Sequence, residues 1–186
     1  MATLNDSQFM CFSDFIVYNV NGTNILLGST QNVPNDFKGM LRVFADAIRG
    51  LGDNINITYG GDTFSLSDIL SNLGPINIVW TDLGIATGTF EPGSVPEIRF
   101  DANSMRSNAF GPNRSLIEEF FITALHEFVH ANHYARWLAS GALGAYVPQP
   151  HLGEPAGESY DYPEAISALL AAMQTHPQTT PTDPCP

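Results

Sequence analysis

The segment from Ser115 to Ser140 constrains the fold more than any other, because it contains neither glycine nor proline. Its apolar side chains recur at intervals of three and four residues, namely Leu116, Ile117, Phe120, Phe121, Ala124, Leu125 and Phe128. This spacing places them on one broad face of a helix, which is typical of burial in a core. Ser115 and Glu118 have the spacing of a capping box, and Gly141 suits the end of the helix. We therefore predict one long core helix over residues 115–140.

Three residues within this segment form the pattern His-Glu-x-x-His, at His126, Glu127 and His130. Residues four apart in a helix lie on the same face, about 6 Å apart along the axis, so both imidazoles can reach one ion. Neutral imidazoles suit Zn²⁺, and the adjacent glutamate can act as a general base toward a water at the metal. The alternative is two ordinary histidines, but a mostly apolar helix buries His-Glu-His without partners only at high cost. We expect one Zn²⁺ per chain, with Glu127 as the catalytic base.

The chain has 186 residues, of which 44% are hydrophobic, and this suits a single domain with a sizeable core. We assign residues 1–174 to that domain and residues 175–186, which are polar and rich in proline, to a disordered tail. The 19 acidic residues outnumber the 7 basic ones, so the chain lacks the positive charge needed to bind nucleic acid. No apolar run reaches the ~18 to 20 residues that cross a bilayer, so no membrane span is expected.

The N-terminal residues show no basic region followed by an apolar stretch, which is the pattern of a signal peptide. Localisation therefore stays open between a secreted effector and a cytoplasmic protein. Cys11 and Cys185 lie near the two ends of the sequence. Their spacing is compatible with one disulfide and equally with two free thiols.

Apolar spacing and turn signals predict further elements before the long helix. They are a β-hairpin over residues 15–28 around Asn21-Gly22, helices at 36–49 and 65–73, and strands at 56–59, 75–80 and 96–101. Gly84, Gly88 and Pro92-Gly93 predict turns between the last two strands. Strands that precede the metal-binding helix provide a sheet against which a substrate can lie.

A long helix with His126-Glu127-Phe128-Val129-His130, preceded by a small sheet, resembles the zincin metallopeptidases over roughly residues 76–173. The metzincin group has a third histidine six residues beyond the second, but this sequence has Arg136 there. The resemblance is therefore to the gluzincins, which supply a glutamate from a second helix. It implies an α+β zincin-like fold, with a small mixed or antiparallel sheet packed on the long helix and a C-terminal ligand helix. Residues 1–70 match no zincin element.

Several acidic residues and one histidine downstream are candidates for the third metal ligand. Glu164 is preferred, because it begins an amphipathic helix with apolar residues Ile166, Leu169, Leu170 and Met173, and its Glu-Ala-x-x-Ala pattern resembles the ligand helix of small gluzincins. The alternatives are Glu158, His151, Glu154 and Asp161. Asp161 and Glu164 also have the spacing of a capping box, which explains Glu164 without a metal.

Hydrolysis also requires a donor that stabilises the oxyanion of the attacked carbonyl. Tyr160, Tyr162, His133 and His151 are the candidates. Side-chain packing is the simpler explanation for the two tyrosines. For His133, the simpler explanation is a position on the surface or a role in supporting a metal ligand.

We expect the predicted strand at 97–101, with Ile98, Arg99 and Phe100, or the segment 87–90 before it, to form the sheet edge that binds substrate. An edge strand offers free N–H and C=O groups to an extended peptide. Alternation directs Ile98 and Phe100 to one face and Arg99 to the other. The competing interpretation is an interior strand that is paired on both sides.

These observations favour a zinc metalloendopeptidase that acts on a peptide or protein substrate. The alternative is a catalytically silent binding module in which protein ligands occupy every metal position. Compact zincins without a propeptide also resemble the peptidase domains of bacterial toxins and effectors. An inhibitor or immunity partner would accompany such a domain, but the sequence names neither that partner nor the target.

Overall fold

The computed structural model describes residues 16–20, 23–37, 40–41, 44, 56–59, 62–74, 76–107, 115–147 and 163–175. Within these ranges the protein is a mixed α+β structure. Both cysteines, Asn21-Gly22 and most of the predicted tail lie outside the described residues, although the last helix extends to Thr175. None of the described helices is both long and apolar enough to cross a membrane.

Among the described residues, five strands form the main sheet and two form a small separate sheet. The strands are β1 (Ile16–Val20), β2 (Thr23–Gln31), β3 (Asn56–Tyr59), β4 (Asp62–Ser65), β5 (Ile76–Trp80), β6 (Gly88–Glu91) and β7 (Glu97–Phe100). The main sheet has the order β1-β2-β5-β7-β6, and β3 pairs with β4. The β2–β5 and β5–β7 pairs are parallel, whereas β1–β2 and β6–β7 are antiparallel. The β1–β2 pairing confirms the predicted hairpin, while β4 was not predicted.

Four helices have both ends within the described residues. They are α1 (Leu66–Leu73), α2 (Ala102–Arg106), α3 (Leu116–Ala139) and α4 (Pro163–Thr175), and residues 35–37, 40, 41 and 44 are also helical. The capping box predicted for the long helix is present, because Ser115 and Glu118 each accept a backbone N–H bond from the other. Ser65 and Asp68 make the same exchange at α1. These caps satisfy N–H groups that a first helical turn otherwise leaves unpaired.

Helix α2 was not predicted, because its five residues are too few to show a helical period. Asp101 begins it, with one carboxylate oxygen that accepts bonds from the N–H groups of Asn103 and Ser104. The other carboxylate oxygen accepts a bond of 2.7 Å from the N–H of Leu83. Asp101 is therefore a cap that also holds the loop after β5, and it is not the last residue of the strand.

The expectation that residues 97–101 form the sheet edge is wrong. Strand β7 pairs with β5 on one side and with β6 on the other, so the N–H and C=O groups of Ile98, Arg99 and Phe100 lie between two strands. Ile98 and Phe100 are buried, while Arg99 is half exposed and forms ion pairs with Glu91 and Glu97. The other segment considered, residues 87–90, is the one at the edge, because β6 is the last strand in the described sheet.

The core is centred on the aromatic residues of α3. The ring of Phe120 contacts five other rings, those of Phe37, Phe44, Trp80, Phe100 and Phe121, at centroid distances of 5.5–6.2 Å. Phe120 is completely buried. Because these rings come from α3, β5, β7 and the helical residues 37 and 44, this cluster fixes α3 against the sheet.

We predict that Phe120→Ala lowers the free energy of unfolding by about 3–5 kcal/mol, since it removes a buried ring and leaves a cavity. Chemical denaturation monitored by circular dichroism measures this loss. Leu143→Ala is the control, because Leu143 is fully exposed and its truncation should leave the stability unchanged. Equal stability of the two variants would contradict the assignment of Phe120 to the centre of the core.

Candidate functional site

Helix α3 presents His126, Glu127 and His130 to one cleft. The ring centroids of the two histidines are 5.0 Å apart, and the rings are nearly perpendicular. Both histidines are half buried, whereas only 3% of Glu127 is exposed. The helical spacing therefore brings the two imidazoles together beside a buried carboxylate, as the sequence predicts.

Strand β6 also lines this cleft. The cleft has a volume of about 290 Å³ and is lined by residues 88–92 together with His126, Glu127, His130 and Tyr146. No described strand pairs with the outer side of β6. The backbone of an edge strand thus lies directly beside the His-Glu-x-x-His motif.

Two hydrogen bonds attach the β6 region to α3, one on each side of the motif. Before the motif, the hydroxyl of Thr123 donates to the hydroxyl oxygen of Thr87 over 3.2 Å, and both side chains are buried. After the motif, the hydroxyl of Tyr134 donates to the carbonyl of Gly93 over 3.3 Å. These contacts hold the strand alongside the helical turns that carry the histidines.

Gly88 lies so close to α3 that a side chain at this position would collide with the helix. A Cβ atom on Gly88 would lie 2.6 Å from Cγ2 of Thr123 and 2.8 Å from Oε1 of Glu127, both well inside van der Waals contact. Glycine at this position therefore provides room for close packing, whereas the sequence suggested only a turn. No local sequence signal distinguishes these two uses of glycine.

Burial controls the electrostatics of Glu127. Removal from water raises the pKa of its carboxyl group to about 8, because the ionised form loses its hydration. Its Oε2 atom has no hydrogen-bond partner among the described residues. A cation in the cleft would lower this pKa and stabilise the ionised carboxylate. The buried acceptor atom thus fits a site that receives a positive charge or a proton donor.

Tyr146 is a cleft residue that the sequence analysis missed. Its ring packs against Tyr134 and Trp137 at centroid distances of 5.0 and 5.6 Å. Its hydroxyl is buried and has no hydrogen-bond partner within the described part of the chain. Burial, and then the neighbouring Tyr134, raise the pKa of Tyr146, so the phenol remains protonated at neutral pH and can donate a hydrogen bond. It follows α3 in a segment without regular structure, where periodicity gives no signal.

The structure does not bring Glu164 to the two histidines. Glu164 is exposed on α4, whose inward face instead carries Ala165 and Leu169. Across the described residues, no three His, Cys, Asp or Glu side chains are grouped to hold a metal ion. The predicted apolar stripe of this helix is present in Ile166, Leu169 and Leu170, which pack on the core.

The remaining candidates divide into two groups. His151, Glu154, Glu158, Tyr160, Asp161 and Tyr162 lie outside the described residues. His133 is half buried on α3 but does not line the cleft. The two neighbouring imidazoles in the cleft are donors of the kind that zinc prefers, and no third protein ligand is grouped with them among the described residues.

We predict that the purified protein contains about one zinc ion per chain and that His126→Ala or His130→Ala abolishes it. Glu127→Gln should retain the metal, because Glu127 is placed as a base and not as a ligand. His133→Ala is the matched control, since this histidine is on the same helix but outside the cleft. Elemental analysis after dialysis measures the content. Zinc that survives both His126→Ala and His130→Ala would contradict this site.

Comparisons with protein-family models, with curated proteins and with solved structures found no significant match in any of the three. The residues of the cleft and the resemblance of their motif are therefore what indicates a function.

Proposed function

We propose that the protein is a zinc-dependent metallopeptidase of the gluzincin type, with a zincin-like fold. The observation that carries this proposal is the shared cleft of His126, Glu127 and His130, one wall of which is the edge strand β6. Peptide hydrolysis needs an electrophilic metal site, a base and a surface that binds extended backbone. His126 and His130 can hold the metal, Glu127 can act as the base, and the edge strand β6 can bind extended backbone.

The metal would be held by His126, His130 and a third protein ligand. When bound, Zn²⁺ supplies Lewis-acid chemistry, since it polarises the substrate carbonyl and lowers the pKa of water. Glu127 accepts the proton from the attacking water and passes it to the nitrogen of the leaving amine. Its position favours this role, because Glu127 is buried beside the two histidines and its Oε2 atom has no hydrogen-bond partner among the described residues.

Tyr146 is suited to stabilise the oxyanion. Tyr146 lines the cleft, and its buried hydroxyl has no hydrogen-bond partner among the described residues. A donor of this kind is held in place by the packing of its ring, here against Tyr134 and Trp137, before substrate binds. Among described residues it is a better candidate than His133, which does not line the cleft.

The substrate backbone would bind along β6. The outer N–H and C=O groups of this strand face no described strand, and an extended peptide can pair with them. This assignment replaces Ile98, Arg99 and Phe100 as substrate-binding residues, because β7 is already paired on both sides.

We predict that Glu127→Gln lowers kcat for peptide hydrolysis by several orders of magnitude while folding and zinc content are retained. The amide has almost the same shape but cannot accept the proton. Glu97→Gln is the matched control, because Glu97 forms an ion pair with Arg99 and does not line the cleft. Its activity should stay within a few-fold of the parent.

Equal activity in Glu127→Gln and in the parent would contradict the mechanism. A protein that binds zinc stoichiometrically but cleaves no member of a diverse peptide library would instead support the silent binding module.

We predict that Tyr146→Phe lowers kcat by about 10²–10³-fold, the usual effect of removing one oxyanion donor. KM and zinc content should change little, because the ring and its contacts with Tyr134 and Trp137 remain. Steady-state kinetics with a fluorogenic peptide separate the two constants. A change in KM alone would assign Tyr146 to substrate binding and contradict a role at the oxyanion.

A further inference from the structure

We propose that Gly88 is a positioning residue that sets the place of the Glu127 carboxylate in the cleft. The inference deepens the proposed peptidase function and rests on it for its catalytic consequence. Its structural basis is the absence of a side chain at a position of β6 where a Cβ atom would collide with α3. The three atoms nearest to a Cβ at Gly88 all belong to Thr123 and Glu127, at 2.6, 2.8 and 3.1 Å.

Thr123 cannot yield to a larger residue at this position. Its hydroxyl is bonded to Thr87, so a rotation that moved the Cγ2 methyl away from Gly88 would break a buried hydrogen bond. Thr123 is also β-branched and lies in a helix, where its χ1 angle has few allowed values. The methyl group of Thr123 therefore limits how closely the strand can approach the helix.

Glu127 is the neighbour that can move. Two of its atoms, Oε1 and Cγ, lie 2.8 and 3.1 Å from the Cβ that an alanine would add. Its side chain rotates about several single bonds, so a methyl group at residue 88 displaces the carboxylate more easily than the Thr123 methyl. The bare backbone of Gly88 thus defines one wall of the space in which the carboxylate lies.

This arrangement couples the base to the strand proposed to bind substrate. Gly88 is the first residue of β6, and its neighbour Thr87 is bonded to Thr123, one helical turn before Glu127. The distance from the carboxylate to a peptide on β6 is therefore set by direct contact between the two elements. Catalytic geometry of this kind is sensitive to shifts of about 1 Å.

A stability experiment on the full chain, freed of metal by chelation, tests the contact without any activity. Gly88→Ala should lower the midpoint of unfolding in the parent. In the double variant Thr123→Ser/Glu127→Ala, the further change Gly88→Ala should lower the midpoint of unfolding much less than it does in the parent. The reason is that the double variant lacks the Thr123 methyl and the Glu127 Cγ and Oε1 atoms. Serine keeps the hydroxyl that bonds Thr87. An equal shift in both backgrounds would overturn the proposal.

A kinetic experiment tests the consequence for the base. Gly88→Ala should lower kcat on the order of 10²-fold, with a smaller change in KM and with zinc content unchanged. Gly93→Ala is the matched control, since the nearest atom to its Cβ is a carbonyl oxygen at an ordinary 3.4 Å and its own carbonyl remains available to Tyr134. It should keep the activity of the parent.

The two proposals can fail separately. If Glu127→Gln is inactive while Gly88→Ala keeps full kcat, the positioning role is wrong and the peptidase mechanism stands. If Glu127→Gln is as active as the parent, the mechanism fails, and the unfolding experiment alone decides whether Gly88 sets the place of Glu127.

Discussion

The close packing of α3 against the sheet is the interaction on which the rest of the structure depends. Phe120 and the rings around it bury one face of the helix, and the Thr87–Thr123 hydrogen bond joins the adjacent face to the edge region. The same helix therefore serves the core with one set of side chains and the cleft with another. Displacement of α3 would disturb both, because the His-Glu-x-x-His motif lies on this helix.

This packing also explains the unusual state of Glu127. A carboxylate that is 3% exposed and lacks a described partner for one oxygen is costly in a folded protein. Such groups are more common at functional sites than in purely structural cores, because burial tunes their affinity for protons and cations. The packing of the aromatic core on the same helix offsets the stability that the protein loses by burying the Glu127 carboxylate.

The sequence predicted those features that are local in the chain. The helix with its capping box, the hairpin of β1 and β2, the strand at Ile76–Trp80 and the adjacency of His126 and His130 all follow from spacing and turn chemistry. The partners of a strand were not predictable in this way. Alternation assigned Ile98 and Phe100 correctly to the core but cannot state which strands lie on either side of β7, because pairing depends on contacts distant in sequence. The tight contact at Gly88 was missed for the same reason, and Tyr146 was missed because it follows α3 in a segment without regular structure.

The position of β6 beside α3 is also linked to Asp101, which directly follows β7. Burial opposes ionisation of this carboxyl group, but hydrogen bonds from the N–H groups of Leu83, Ser104 and Asn103 outweigh it and hold its pKa below the usual range. Its own N–H donates to the carbonyl of Thr87. One charged residue thus joins the loop after β5, the start of α2 and the residue that precedes Gly88. Asp101 thus attaches the residue before Gly88 to the neighbouring strand and loop. Both the sheet and α3 therefore determine the geometry beside Glu127.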